Sequence, residues 1–179
     1  MMLSLRVALK TAKHVELELF VTLRVVDRVA LTARQTLTER LGYGDILADL
    51  NRQDYYRIAV TGGEAEALAY LREIAESTTL FANPNKETFT VRTVERPLSR
   101  DDTYVALVYP REGLFDESLC RHLALELGYD GVVAAGRGVA WTIELSRGAD
   151  PKYVEEILVT RERSLGLLAN PHAEKYEIV

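Results

Sequence analysis

Leu41-Gly42-Tyr43 and Ala82-Asn83-Pro84 return later in the chain as Leu127-Gly128-Tyr129 and Ala169-Asn170-Pro171. Position 127 lies 86 residues after position 41, and position 169 lies 87 after position 82. Two landmarks at a nearly constant offset mark one supersecondary unit used twice. Two related units in one chain can build the pseudo-symmetric body that two identical chains would otherwise build.

The residues around these landmarks give the unit its order. Val15, Leu17, Leu19, Val21, Leu23 and Val25 alternate with Glu16, Glu18, Thr22 and Arg24. Period two predicts a strand with one face on a core. Asp27 can cap a helix. Ala30, Ala33, Leu37 and Leu41 form its apolar stripe, and Gly42 stops it. Ile46–Leu50 and Tyr56–Val60 read as two strands joined by a polar turn at Asn51-Arg52-Gln53-Asp54. After Gly62-Gly63, a second helix carries Ala67, Leu68, Leu71, Ile74 and Ala75 and is expected to end at Asn83-Pro84. Phe89 and Val91 mark a closing strand.

The second half repeats this order. Tyr104–Tyr109 reads as a strand, and Asp116 caps a helix with Leu119, Leu123 and Leu127. Val132–Ala135 and Val139–Leu145 form an expected hairpin about Gly136-Arg137-Gly138. Asp150-Pro151 starts a helix whose stripe is Val154, Ile157, Leu158, Leu165 and Leu168, interrupted by Arg161. Tyr176 and Ile178 close the last strand. Each half is strand–helix–strand–strand–helix–strand, the split βαβ pattern of ferredoxin-like folds. The expected class is α+β. Two tandem ferredoxin-like βαββαβ units, with antiparallel sheets packed against helices, would form a pseudo-twofold intrachain dimer. The first repeat takes residues 1–96, with a short N-terminal extension, and the second takes residues 103–179. Residues 97–102 are the linker, short enough that the halves should pack together.

Composition narrows the function. With 179 residues and 47% hydrophobic content, the chain can bury a core. A net charge of −5 without a Lys or Arg run gives no reason to expect nucleic acid. The single cysteine, Cys120, permits no intrachain disulfide, which fits a reducing cytoplasm. No apolar run reaches the ~18 residues needed to span a bilayer, so no membrane partner is expected. Met1–Lys10 is a poor secretory signal and reads as an extra strand or a partly ordered leader.

The search for chemistry returns no catalytic set. His14, His122 and His172 lack metal-ligand spacing. No phosphate-binding glycine loop and no Gly-x-Ser-x-Gly elbow is present. Cys120 and His122 stand two apart on an expected helix, where side chains do not face each other. Glu155-Glu156 reads as a solvated helix face. Asn83 and Asn170 read first as helix stops, because Asn tolerates the left-handed conformation and Pro cannot continue a helix. Their second reading is a partner-binding corner. Arg52 and Arg137, 85 apart, occupy equivalent positions in the expected hairpin turns. There a planar donor fork can meet an anion or a partner, and Gly136 and Gly138 would let a partner's backbone come close.

Taken in order, strand, helix, Leu-Gly-Tyr, hairpin, long helix, Leu167-Leu168-Ala169-Asn170-Pro171 and a final Tyr176-Glu177-Ile178 resemble the PurS family. That family is the small subunit of formylglycinamidine ribonucleotide synthase of purine biosynthesis. Each half resembles one whole member, over nearly all of residues 15–179. The departures are specific. The family's Thr-Leu-Lys is Thr22-Leu23-Arg24 in the first repeat but Val108-Tyr109-Pro110 in the second. Its Asp-Pro-x-Gly entry to the first helix is Asp116-Glu117-Ser118. Its Arg-x-Gly-Lys hairpin survives only as Asn51-Arg52 and Gly136-Arg137. The two repeats have diverged, so one can lose a contact that the other keeps.

The resemblance implies a non-catalytic subunit of a glutamine-hydrolysing, ATP-dependent ligase complex. It would bridge a synthetase subunit and a glutaminase subunit so that ammonia passes from glutamine to the amidine-forming site. It implies no cofactor in this chain, since ATP, Mg and glutamine are used by the partner subunits. It also allows self-association into a four-repeat assembly. Arg52, Arg137, Asn83 and Asn170 are the partner-interface candidates, and no catalytic residue is assigned. The rival expectation is an ACT-like domain that senses amino acids. Such sites commonly use a glycine after the first strand. Gly113 offers one in the second repeat, where the first has Val26-Asp27.

Overall fold

The computed structural model describes residues 13–159 and 167–179. The expected leader at Met1–Lys10, and Arg161 and Leu165 of the last stripe, lie outside the described residues. Among the described residues the fold is α+β, with a six-strand antiparallel sheet and four α-helices. The elements run β1 (His14–Leu23), α1 (Arg28–Gln35), β2 (Leu47–Thr61), α2 (Glu64–Ser77), β3 (Glu87–Thr93), β4 (Thr103–Pro110), α3 (Glu117–Arg121), β5 (Val132–Leu145), α4 (Tyr153–Leu158) and β6 (Glu174–Ile178). The strands are hydrogen-bonded in the order β3-β1-β2-β5-β4-β6.

Packing gathers these elements into two compact units, each drawn from both halves of the sequence. The first comprises the described residues up to Val21, with Tyr56–Val94 and Phe115–Arg137. The second comprises Thr22–Tyr55, Glu95–Leu114 and the described part of Gly138–Val179.

In the first unit the strand order is β3-β1-β2-β5, using residues 56–61 of β2 and 132–137 of β5. Leu17, Leu19 and Val21 of β1 meet Ile58 and Val60 of β2 and Val91 of β3. Ala67, Leu71, Ile74 and Ala75 of α2 cover them, as their three- and four-residue spacing predicts. The core also takes Leu123, Val132 and Ala135 from the second half of the sequence.

In the second unit the order is β2-β5-β4-β6, using residues 47–55 of β2 and 138–145 of β5. Ala106 and Val108 of β4 and Trp141, Ile143 and Leu145 of β5 pack with Val154, Ile157 and Leu158. Ala30, Ala33 and Leu37, from the first half, complete that core. Strand β4 pairs antiparallel with β5, with Val108 opposite Val139, and with β6, with Val108 opposite Tyr176.

Both expected hairpins are absent. β2 continues through Asn51-Arg52-Gln53-Asp54 without turning, and β5 continues through Gly136-Arg137-Gly138. A tight two-residue turn needs positive φ. None of these residues has it. The polar run is hydrogen-bonded in place instead, within β2 and to the neighbouring β1. Asn51 donates to Asp49 at 2.9 Å, Gln53 donates to Thr22 at 2.6 Å, and Arg52 donates to Asp54 at 2.6 Å. Gly138 serves a close approach within the unit: a Cβ there would stand 2.5 Å from the Val108 carbonyl oxygen.

Other boundaries also move. α2 ends at Ser77, before Asn83-Pro84, and α4 ends at Leu158, so Leu168 is buried outside any helix. β1 ends at Leu23, leaving Val25 exposed rather than on the core face. Leu127 is also exposed. Glu18 is fully buried on the face of β1 opposite Leu17 and Leu19, so that face is covered as well. The Glu18 carboxylate lies 3.4 Å from Arg92 Nε.

Helices α1 and α3 end alike. Each passes into a π-helical turn, Thr36–Arg40 and His122–Glu126. Leu41 N–H then donates to Thr36 and Leu127 N–H to His122. Gly42 and Gly128 follow at φ +82° and +78°, a conformation that favours glycine. Tyr43 N–H donates to Leu37 and Tyr129 N–H to Leu123. Both Leu-Gly-Tyr landmarks therefore close the same wide turn.

Candidate functional site

Each unit carries one corner at which an aspartate meets an arginine, with an exposed apolar residue just before the aspartate in sequence. In the second unit these are Val26, Asp27 and Arg52. Asp27 caps α1: its Oδ1 accepts from Val29 N–H at 2.8 Å and Ala30 N–H at 3.2 Å. Its Oδ2 stands 3.4 Å from Arg52 Nη1. In the first unit they are Phe115, Asp116 and Arg137. Asp116 Oδ1 accepts from Ser118 N–H at 2.9 Å and Leu119 N–H at 3.1 Å. Its Oδ2 stands 3.5 Å from Arg137 Nε. One carboxylate oxygen of each aspartate satisfies orphan helix donors, and the other faces the guanidinium.

The two corners differ in how the arginine is held. Arg52 has a second carboxylate, Asp54 at 2.6 Å, and its side chain is 23% exposed. Arg137 has Asp116 alone among the described ion pairs, and its side chain is 69% exposed. Residues two apart in a strand share a face. The residue two after Arg137 is Val139, which packs toward the second unit's core. Val26 and Phe115 are 70% and 52% exposed. Phe115 forms an antiparallel bridge with Gly136, and Asp116 N–H donates to Ala135 at 2.8 Å, which seats this corner against β5.

Asn83 and Asn170 organise a second pair of equivalent turns, not helix ends, and neither has positive φ. Asn83 Oδ1 accepts from Asn85 N–H at 3.0 Å, and Asn170 Oδ1 accepts from His172 N–H at 3.0 Å. Glu87 Oε2 accepts Asn83 N–H at 2.6 Å, and Glu174 Oε2 accepts Asn170 N–H at 2.8 Å. The Asn83 carbonyl receives Lys86 and Glu87 N–H, and the Asn170 carbonyl receives Ala173 and Glu174 N–H. The side-chain oxygen that a partner would meet thus already holds its own turn.

Arg137 and Asn83 lie in the first unit, and Arg52 and Asn170 in the second. No described hydrogen bond or ion pair joins any two of these four side chains. The roles of Asp27, Asp116, Glu87 and Glu174 as partners of the four candidates went unread in the sequence. A signal existed: Asn83 and Asn170 each precede a glutamate by four positions, and Asp27 and Asp116 each follow an apolar residue.

Cys120 packs against the first core, where burial pushes its thiol pKa up, with the Glu117 carboxylate adding to the effect. His122 pairs with Glu126 at 2.7 Å, one turn along the same helical segment. Among the described residues, no group of three or more His, Cys, Asp or Glu side chains is placed to hold a metal ion. Among them, too, no helix is long and apolar enough to cross a membrane.

No protein-family model matches the sequence, and no curated protein matches it.

Proposed function

We propose that this chain is the non-catalytic bridging subunit of a formylglycinamidine ribonucleotide synthase, holding a synthetase and a glutaminase together for ammonia transfer. The observation that carries this reading is the doubling of the corners: each compact unit has one Asp–Arg corner and one Asn–Glu turn. A bridge between two different partners needs two related surfaces on one body, and a covalent pair supplies them at high effective concentration.

The same reading treats each unit as a ferredoxin-like βαββαβ fold completed by exchange. In the first unit, β1, α3, residues 132–137, residues 56–61, α2 and β3 take the six places. In the second unit, β4, α1, residues 47–55, residues 138–145, α4 and β6 take them. The sequence order of landmarks and the strand order within each unit both support it.

The test is amidine formation by the cognate synthetase and glutaminase with and without this chain, driven by glutamine and then by free ammonia. Glutamine-driven synthesis that requires the chain, while ammonia-driven synthesis does not, is the expected result. Glutamine-driven synthesis that proceeds equally well without the chain rejects the proposal.

A further inference from the structure

We draw no further inference here: the strongest candidate, the exposed valines Val25, Val26 and Val29 at the entry to α1 in the second unit, carries nothing because nothing in the structure shows what covers them.

Discussion

At the residue scale, Gly138 shows why a glycine need not mark a turn. Any Cβ at this position would meet the Val108 carbonyl oxygen at 2.5 Å, and a backbone atom in a paired strand cannot swing away. At Gly131 the nearest obstacle is the Tyr70 ring, at 2.9 Å, and a side chain can rotate. Gly138→Ala is therefore expected to cost about 1–3 kcal/mol, and more than Gly131→Ala. Urea denaturation of both variants checks this, and equal midpoints would refute it. Cys120 gives a second residue-level expectation. Burial and the Glu117 carboxylate both disfavour its thiolate, so its pKa lies above that of an exposed thiol. Alkylation by iodoacetamide should be slower than for a free cysteine peptide at the same pH. Its midpoint with pH should also lie higher; a midpoint at or below the peptide's would contradict the assignment.

At the scale of elements, the two aspartate caps perform the same task with unequal support. Asp27 and Asp116 each satisfy two helix N–H groups, but the Asp27 side chain is more buried and its partner Arg52 is held between two carboxylates. Removing a cap costs about 1 kcal/mol. Asp116→Ala should cost about that, and Asp27→Ala more, because it also unseats Arg52. Denaturation of the two variants decides it; Asp116→Ala proving the more damaging would refute the ranking. The elements also show what was legible in the sequence. Helix stripes such as Ala30-Ala33-Leu37 and Ala67-Leu71-Ile74 were, because burial imposes their period directly. So were the caps at Asp27 and Asp116 and the glycine stop at Gly42, whereas Asp150-Pro151 does not start α4: Asp150 accepts Lys152 N–H in a turn, and the helix begins only at Tyr153, with Lys152 at its cap position and no side-chain cap bond. The hairpins were misread because a polar or glycine-bearing run inside a strand resembles a turn until its partners are known. For Gln53 that partner is Thr22, and for Gly138 it is the Val108 carbonyl. The candidate arginines were found, but their aspartate partners were not, because Asp27 and Arg52 lie 25 positions apart and meet only once α1 packs beside β2.

At the scale of the whole molecule, the continuation of β2 and β5 through residues 51–54 and 136–138 governs what can fold alone. With no turn at residues 51–54 or 136–138, each long strand gives one part to each unit. The first core then needs Leu123, Val132 and Ala135 from the second half of the sequence, and the second core needs Ala30, Ala33 and Leu37 from the first. A fragment ending near residue 96 keeps α2 but loses the helix and strand segment that close its core. Its own α1, with the first part of β2, has no second-unit strands to cover. Units of this size are marginal even when complete. Neither fragment 1–96 nor fragment 97–179 should therefore fold as a monomer. Each should be unfolded or self-associated alone, whereas the two mixed or co-expressed should recover one folded complex. Sedimentation with far-UV circular dichroism of each fragment and of the mixture tests this. A folded monomeric fragment would mean that the strands can bend back at residues 51–54 or 136–138, so that the exchange of segments is dispensable.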